Sequence, residues 1–126
     1  MEILNFNAME KYDLEDRLID FSVLIIEIVN EMPNSKAGNH LSGQLVRSGT
    51  SVSLNYGEAE AAESRRDFIH KMKVVLKELR ETLVNLKIIH KSKLYKDENK
   101  IIEAKKENIE LISIFVKSIE TAHRNS

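Results

Sequence analysis

The segment Leu41–Ser64, LSGQLVRSGTSVSLNYGEAEAAES, constrains the fold more than any other part of the chain. At about 100° per residue along a helix, one of its faces carries small and polar side chains among few large apolar ones. Small side chains let two helix backbones approach closely, so the segment predicts a helix packed tightly against a neighbour. The residues of that face are Leu41, Leu45, Ser48, Val52, Asn55 and Ala59.

Polar and charged side chains lie in or beside this face. A buried polar group must be hydrogen-bonded and a buried charge must be paired. Arg47 and Glu58 are too far apart on one helix to pair with each other, so we expect their partners on other helices or other subunits. We interpret the set as a structural polar network that fixes helix register, and not as an acid–base pair. The set consists of Arg47, Ser48, Ser51, Asn55, Glu58, Glu78 and Glu81.

Three glycines, Gly43, Gly49 and Gly57, oppose a regular helix in this segment. Each interior glycine costs about 0.5–1 kcal/mol relative to alanine. Close packing against a neighbouring helix would compensate for the cost of these glycines. The alternative is a weak, partly irregular helix whose polar residues face water.

Apolar periodicity predicts four helices, at about residues 12–32, 41–62, 65–92 and 98–122. Pro33 ends the first, and Ser64 and Asp97 are suited to cap the third and fourth. Residues 1–7 are expected to be a loose lead-in and residues 123–126 to fray. One domain over residues 1–126, an all-α, antiparallel up-down-up-down four-helix bundle, is therefore predicted. The stripe of the first helix is Leu14, Leu18, Phe21, Ile25, Ile28 and Met32.

The third and fourth helices differ in their apolar pattern. The core stripe predicted for the third is Phe68, Met72, Val75, Leu79, Thr82, Leu83, Leu86 and Ile89. The core stripe predicted for the fourth is Ile102, Ile109, Ile112, Val116 and Ile119. A second apolar side of the fourth helix carries Ile101, Leu111 and Phe115. Because one stripe per helix suffices in a bundle, we expect this second side to face another subunit.

Composition narrows the classes of protein. The 126 residues include no cysteine, which removes disulfides and thiolate metal sites. No apolar run is long enough for a membrane span, and the N-terminal flank is acidic, so we expect a cytoplasmic protein without a membrane role. No nucleophile–base motif is visible. We expect no enzyme activity, no catalytic residue and no cofactor.

The charge of −1 conceals separate blocks. Residues 1–40 carry three basic and eight acidic residues, whereas residues 65–96 carry ten basic and three acidic ones. A basic stripe on the outer face of the third helix predicts salt-dependent contact with RNA or DNA phosphates. Two alternatives are a solvated face and a contact with the acidic first helix of a neighbouring copy. The stripe consists of Arg66, Lys73, Lys77, Arg80, Lys87 and Lys91.

Two Glu/Asp-x-x-His pairs have the spacing of bundle metal ligands. Asp67 and His70 form one pair, Glu120 and His123 the other, and both pairs would lie at the same end of the bundle. His70 points about 160° away from the core-facing Phe68, so the first pair cannot aim inward together. We therefore predict no metal site.

The run RSGTSVSLNYGEAEAAES followed by DFIHKMKVVLKELRET is similar to bacterial four-helix-bundle proteins related to those encoded in 23S ribosomal RNA intervening sequences. The resemblance is strongest over residues 41–86. One departure is Asn55-Tyr56-Gly57-Glu58-Ala59 in place of the familiar Asn-Ile-Ala-Glu-Gly. The matching positions are Arg47, Ser48, Ser51, Asn55, Glu58, Phe68, Glu78 and Glu81.

The resemblance implies a four-helix bundle that commonly assembles into a pentameric ring. The accessory proteins of diversity-generating retroelements, a better-understood branch, look like partners of nucleic acid and reverse transcriptase. We therefore expect a non-enzymatic homo-oligomer, a pentamer by the resemblance, that contacts RNA or DNA through the basic stripe. The alternative is a purely structural oligomer or an adaptor for a protein partner.

Overall fold

Four helices make up the protein. A computed structural model describes the backbone of residues 2–125 and the side chains of residues 14–125. The helices are α1 (Glu2–Asn30), α2 (Lys36–Glu60), α3 (Arg65–Ser92) and α4 (Glu98–Arg124). α2 packs against α1 and α3, and α4 packs against α3 and more lightly against α1, while the backbones of α1 and α3 do not approach each other closely within the described residues. The predicted all-α four-helix bundle is confirmed.

Capping side chains set the helix starts. Ser64 Oγ accepts from the Asp67 N–H at 3.0 Å, and Asp97 Oδ1 accepts from the Lys100 N–H at 3.1 Å, as predicted. The bounds predicted for α3 are confirmed. α2 starts at Lys36 and not near Leu41, because Ser35 caps it through the Gly38 N–H at 3.0 Å.

The outer ends of the bundle are more helical than predicted. α1 begins at Glu2, so the expected lead-in over residues 1–7 is helical from its second residue, and Met1 lies outside the described residues. α4 continues to Arg124 and includes His123, where fraying was predicted. Residue 126 lies outside the described residues.

Close packing of α1 on α2 is confirmed at Gly49. A Cβ added to Gly49 would lie 2.8 Å from Ile25 Cγ2, so only glycine fits there without displacing a buried side chain. Ser22 Oγ donates to the Gly49 carbonyl at 2.8 Å and lies 2.7 Å from Ser53 Oγ. Gly49 therefore serves close packing, as predicted, whereas Gly43 and Gly57 are exposed and a Cβ at either would meet no atom within 4 Å.

The core-facing side of α4 was predicted correctly at Ile119 but wrongly at several other positions. Ile101, Leu111 and Phe115, assigned to a subunit contact, are no more than 1% exposed and lie in the core. Ile102 and Ile109, assigned to the core, are 46% and 51% exposed. The core side of α4 is Ile101, Ala104, Asn108, Leu111, Phe115, Ile119 and Ala122.

Asn108 is a polar residue on the core-facing side of α4. It is fully buried. In the amide orientation that satisfies its hydrogen bonds, its nitrogen donates to the Leu79 carbonyl at 3.0 Å and its oxygen accepts from the Leu83 N–H at 3.1 Å. The amide is therefore paired with the α3 backbone, which offsets the cost of burying it.

Within the described residues, no helix is both long enough and apolar enough to cross a membrane.

Candidate nucleic-acid interface

The six predicted basic residues of α3 lie on its outer face, and all six are exposed. We call Arg66, Lys73, Lys77, Arg80, Lys87 and Lys91 the basic face. None of them is ion-paired with a side chain of residues 14–125. At 1.5 Å per residue the face is about 38 Å long. Its charges are therefore available to a ligand.

Two further residues complete the line of the basic face. His70 and Val84 fall in its two seven-residue gaps, so that successive positions alternate in steps of four and three residues. Both are exposed, Val84 to 57%. Neither was predicted as part of the site, because only lysine and arginine identify a basic stripe in the sequence.

The acidic residues of α1 lie away from the basic face. Asp16, Asp20 and Glu27 are exposed on α1, whose backbone does not closely approach that of α3 within the described residues. Charges in water act over about one Debye length, near 10 Å at 0.1 M salt. The carboxylates of α1 therefore weaken the field of the basic face less than adjacent carboxylates would.

Arg47 pairs with two of the acidic residues of α3. Its guanidinium donates to Glu78 Oε2 at 3.1 Å and to Glu81 Oε2 at 2.9 Å. The hydrogen bond that Arg47 donates to Glu81, then the charge of Glu78, raise the pKa of Arg47 above its ordinary value. Since Arg47 is 56% exposed, the pairing is a solvent-screened clamp between α2 and α3.

The other members of the predicted polar network form separate links. Ser48 accepts from Thr82 Oγ1 at 2.7 Å in the buried α2/α3 contact, and Glu58 pairs with Lys71 at 2.7 Å at the surface. Ser51 donates to the Arg47 carbonyl at 2.6 Å within its own helix. Asn55 is partly buried. The partners of Arg47 and Glu58 lie on α3. This agrees with the expectation of partners on another helix, and not with the alternative of partners on another subunit.

A groove of about 560 Å³ lies between α2 and α3. We call it the α2/α3 groove. Val84 and Ile88 on its rim are 57% and 48% exposed. Asn85 is 6% exposed and donates through Nδ2 to the Leu41 carbonyl at 3.2 Å, while its buried Oδ1 has no partner among the described residues. The groove is lined by Leu41, Gln44, Arg47, Ser48, Arg80, Glu81, Val84, Asn85 and Ile88.

A smaller cavity of about 360 Å³ lies where α3 begins and α4 ends. We call it the end notch. Its lining brings together the two histidines of the rejected metal pairs, and their acidic companions Asp67 and Glu120 do not line it. No group of three or more possible metal ligands occurs among the described side chains. The lining residues are Arg66, Ile69, His70, Lys73 and His123.

Comparison with known protein families finds a match over most of the chain. Residues 10–117 match the family model described as 23S rRNA-intervening sequence protein. The chain belongs to this family. The 23S rRNA-intervening sequence match covers the latter part of α1, all of α2 and α3, and most of α4. The family resemblance noted in the sequence is confirmed.

A solved structure supports this fold for the family member. It is the crystal structure of a protein with unknown function from the S23 ribosomal protein family of Bacteroides thetaiotaomicron VPI-5482. The two chains are 29% identical, the match covers 84% of this chain and 97% of the other, and the TM-score is 0.78. No curated protein matches the chain.

Proposed function

We propose that this protein is a non-enzymatic, cytoplasmic homo-oligomer that binds the phosphate backbone of RNA or DNA through the basic face of α3. One observation carries the proposal: six exposed cations line one helix without ion pairs to the side chains of residues 14–125. Lysine and arginine that neutralise phosphates release bound counterions, which favours binding at low salt.

The surroundings of the basic face favour backbone contact over base recognition. Tyr56 and Tyr95 are buried, and Phe68 is partly buried, so none of these three rings is displayed for stacking. Stacking on exposed aromatic rings is a main source of affinity for unpaired bases. Binding is therefore expected to be strongly salt-dependent and nearly independent of base sequence.

Self-association has its own support in two unpartnered surfaces. On α1, Ile19, Val23 and Ile26 are 40–49% exposed at spacings of four and three residues, next to acidic side chains. Such spacing is typical of a helix that docks in a groove. The α2/α3 groove offers exposed Val84 and Ile88, Asn85 Oδ1 without a partner among the described residues, and Arg80, which has no ion pair to the side chains of residues 14–125.

We place α1 of one copy in the α2/α3 groove of the next, because their charges are complementary and both are apolar at the centre. Since the two surfaces differ, the contact repeats head to tail and closes into a ring when the rotation permits. A pentamer is the ring that we propose. Arg80 lines the groove, so the α1 helix of a neighbouring copy would lie against it. Arg66, Lys73 and Lys77 lie outside the groove and would stay exposed in the ring. Several copies would therefore present these three residues together, which raises the affinity for a long ligand through avidity.

Charge reversal tests the nucleic-acid proposal. The variant Lys73→Glu/Lys77→Glu changes two exposed members of the basic face outside the α2/α3 groove. The matched control, Lys106→Glu/Lys117→Glu, makes the same change in charge at two exposed lysines of α4. We expect binding of a labelled RNA hairpin in low salt to weaken at least about tenfold in the first variant and far less in the control.

The α2/α3 groove also favours a second function, that of a structural oligomer or an adaptor for a protein partner. In that case the exposed valine and isoleucine of the groove are the functional residues, and the basic face serves solubility. A ring that does not bind RNA or DNA at low salt would establish this second function over the first.

A further inference from the structure

We propose that the outer side of α4 is a docking surface for α4 of a second copy, in an antiparallel pair of helices centred on Ile109. The proposal uses neither the basic face nor the α2/α3 groove, so it goes beyond the proposed function. It gives a role to exposed isoleucines that the core of the bundle does not use.

An apolar line runs along α4 outside the core. Ile102 and Ile109 are 46% and 51% exposed, and Val116 is partly buried. The three positions are seven residues apart, so each is rotated by only about 20° from the one before it, at about 100° per residue. We call Ile102, Ile109 and Val116 the α4 outer line. Apolar side chains repeated every seven residues on an exposed helix are typical of a contact with another helix.

The contacts of α4 with its own bundle lie on either side of this line. Lys105 Nζ is 3.0 Å from His90 Nδ1 of α3, and Glu107 accepts from Arg17 of α1 at 2.6 Å. Ile102 and Ile109 lie on the arc of the helix between these contacts that is turned away from the core. The α4 outer line therefore remains open to another chain.

Charged residues of alternating sign follow one flank of the α4 outer line. All four are exposed, and they are rotated about 40–100° from Ile102 in the same direction. Glu110 pairs with Arg17 at 3.0 Å, whereas the other three have no ion pair with a side chain of residues 14–125. In chain order the four are Glu103, Lys106, Glu110 and Lys117.

An antiparallel pair centred on Ile109 makes both the apolar line and the charges self-complementary. In a two-fold contact the same patch is used twice, so residue i meets residue j and residue j meets residue i. Ile109 then meets Ile109 of the second copy, and Ile102 meets Val116, because both lie seven residues from the centre.

The charges on the flank fit the same register. Glu103 of one copy comes opposite Lys117 of the other, and Lys106 comes opposite Glu110. Each of these pairs is within two residues of ideal register, or about 3 Å along the helix, which a long side chain spans. Opposite charges on the flanks of a helix pair set partner choice and orientation.

Other arrangements of the two helices fit less well. In a parallel pair, residues of equal number lie level, and Lys106 of one copy faces Lys105 of the other. In the antiparallel pair the like-charged Glu98 and Glu120 also come opposite each other, but about 16 Å from the centre. Two crossing helices have diverged at that distance, so this repulsion is weaker than the attraction near the centre.

The symmetry of this contact determines which copies it joins. Members of a five-membered ring are related by rotations of the ring, and no two of them are related by a two-fold axis. The α4 contact therefore joins copies that belong to different rings. A protein whose ring contact is removed, such as Ile88→Lys, should still pair through α4 as a dimer.

Cysteine cross-linking tests the register, because the chain contains no cysteine of its own. Ile109 is the position that meets itself, so Ile109→Cys should form a disulfide-linked dimer with oxidised glutathione as the oxidant. Leu54→Cys, at a residue of α2 that is 70% exposed, should link at least about tenfold more slowly. Ile102→Cys and Val116→Cys should link only when the two proteins are mixed.

A charge exchange tests the flank. Glu103→Lys or Lys117→Glu, each added to Ile109→Cys, places like charges opposite each other twice in the pair, and should slow cross-linking about three- to tenfold. Glu103→Lys/Lys117→Glu exchanges the two charges and should restore the rate. A general effect of net charge or folding would not be reversed in this way.

Three outcomes would overturn the proposal: equal cross-linking of Ile109→Cys and Leu54→Cys, no recovery on charge exchange, or loss of the cross-link in Ile109→Cys/Ile88→Lys. The last result would place the contact within the ring. RNA affinity and the mass of the ring are separate measurements, so failure of the α4 contact leaves the proposed function standing, and the converse also holds.

Discussion

Thr82 of α3 donates from its Oγ1 to Ser48 Oγ of α2 at 2.7 Å, and both side chains are at most 2% exposed. Thr82 Oγ1 also lies 2.8 Å from the Glu78 carbonyl, so its single proton has two acceptors within reach. Arg47, next to Ser48 in the chain, pairs with Glu78 and Glu81. The register of α2 on α3, and hence the position of the groove beside the basic face, depends on these links.

Replacing one member of the hydroxyl pair should destabilise the bundle. Thr82→Val keeps the shape of the side chain but leaves Ser48 without this partner, at a cost of about 1–2 kcal/mol in the free energy of unfolding. Ser48→Ala added to Thr82→Val should cost less than the sum of the two single changes. Urea unfolding of the four proteins measures this coupling, and strict additivity would show that the pair contributes nothing.

Two glycines of α2 should respond oppositely to alanine. Gly49→Ala places a Cβ 2.8–3.1 Å from the buried Ile25 side chain, so we expect a loss of about 1–3 kcal/mol. Gly43→Ala places a Cβ with no atom within 4 Å and should gain about 0.5–1 kcal/mol. Thermal unfolding of the two variants shows whether each substitution lowers or raises the stability of the protein. Equal responses would mean that α1 does not approach α2 at Gly49.

The bond between Tyr95 and Glu31 should make stability depend on pH. Tyr95 Oη donates to Glu31 Oε1 at 2.6 Å, and this bond, assisted by Lys96, lowers the pKa of the Glu31 carboxyl. A lowered pKa stabilises the fold above the ordinary value for glutamate, about 4.3, and the stabilisation is lost as pH falls through the folded value.

Tyr95→Phe should therefore be less stable than wild type at pH 7, with the difference shrinking below about pH 4. Carboxyl chemical shifts should also show the pKa of Glu31 rising toward its ordinary value in the variant. A stability difference that stays constant down to pH 2 would contradict the assignment of this bond.

The proposed subunit contact makes a prediction about mass in solution. Val84→Lys and Ile88→Lys each put a charge on the rim of the α2/α3 groove, and should shift the protein from a ring to smaller species. Leu54→Lys changes an equally apolar residue that is 70% exposed and outside the groove, and should leave the mass unchanged. Light scattering of the three variants measures the mass of the oligomer. If only Leu54→Lys dissociates the oligomer, the subunit contact lies outside the α2/α3 groove.

Much of the fold could be predicted because local signals and packing agree. Ser64 and Asp97 are strong caps, and the start of α3 and of α4 follows from them. The side of α4 that faces the core could not be predicted by counting large apolar residues. Two of its buried positions are Ala104 and Asn108, which are small or polar, and the larger Ile102 and Ile109 are exposed.

The candidate site could be predicted only in part. A basic face is visible in the spacing of lysine and arginine along a helix. The α2/α3 groove and the end notch depend on pairs of helices, and the position of Asn85 has no sequence signature, whereas the pattern of the helices did place His70 and His123 at the same end of the bundle. Contacts between distant segments of the chain are decided by packing geometry, which periodicity does not encode.

The most direct test of the central claim is the salt dependence of RNA and DNA affinity. For duplex DNA, the slope of the logarithm of affinity against the logarithm of salt concentration is about −0.9 per phosphate contact. We predict a steep negative slope for the wild-type protein, reduced in magnitude by about two in Lys73→Glu/Lys77→Glu and unchanged in Lys106→Glu/Lys117→Glu. No binding at low salt, or equal slopes for all three proteins, would contradict a nucleic-acid role for the basic face.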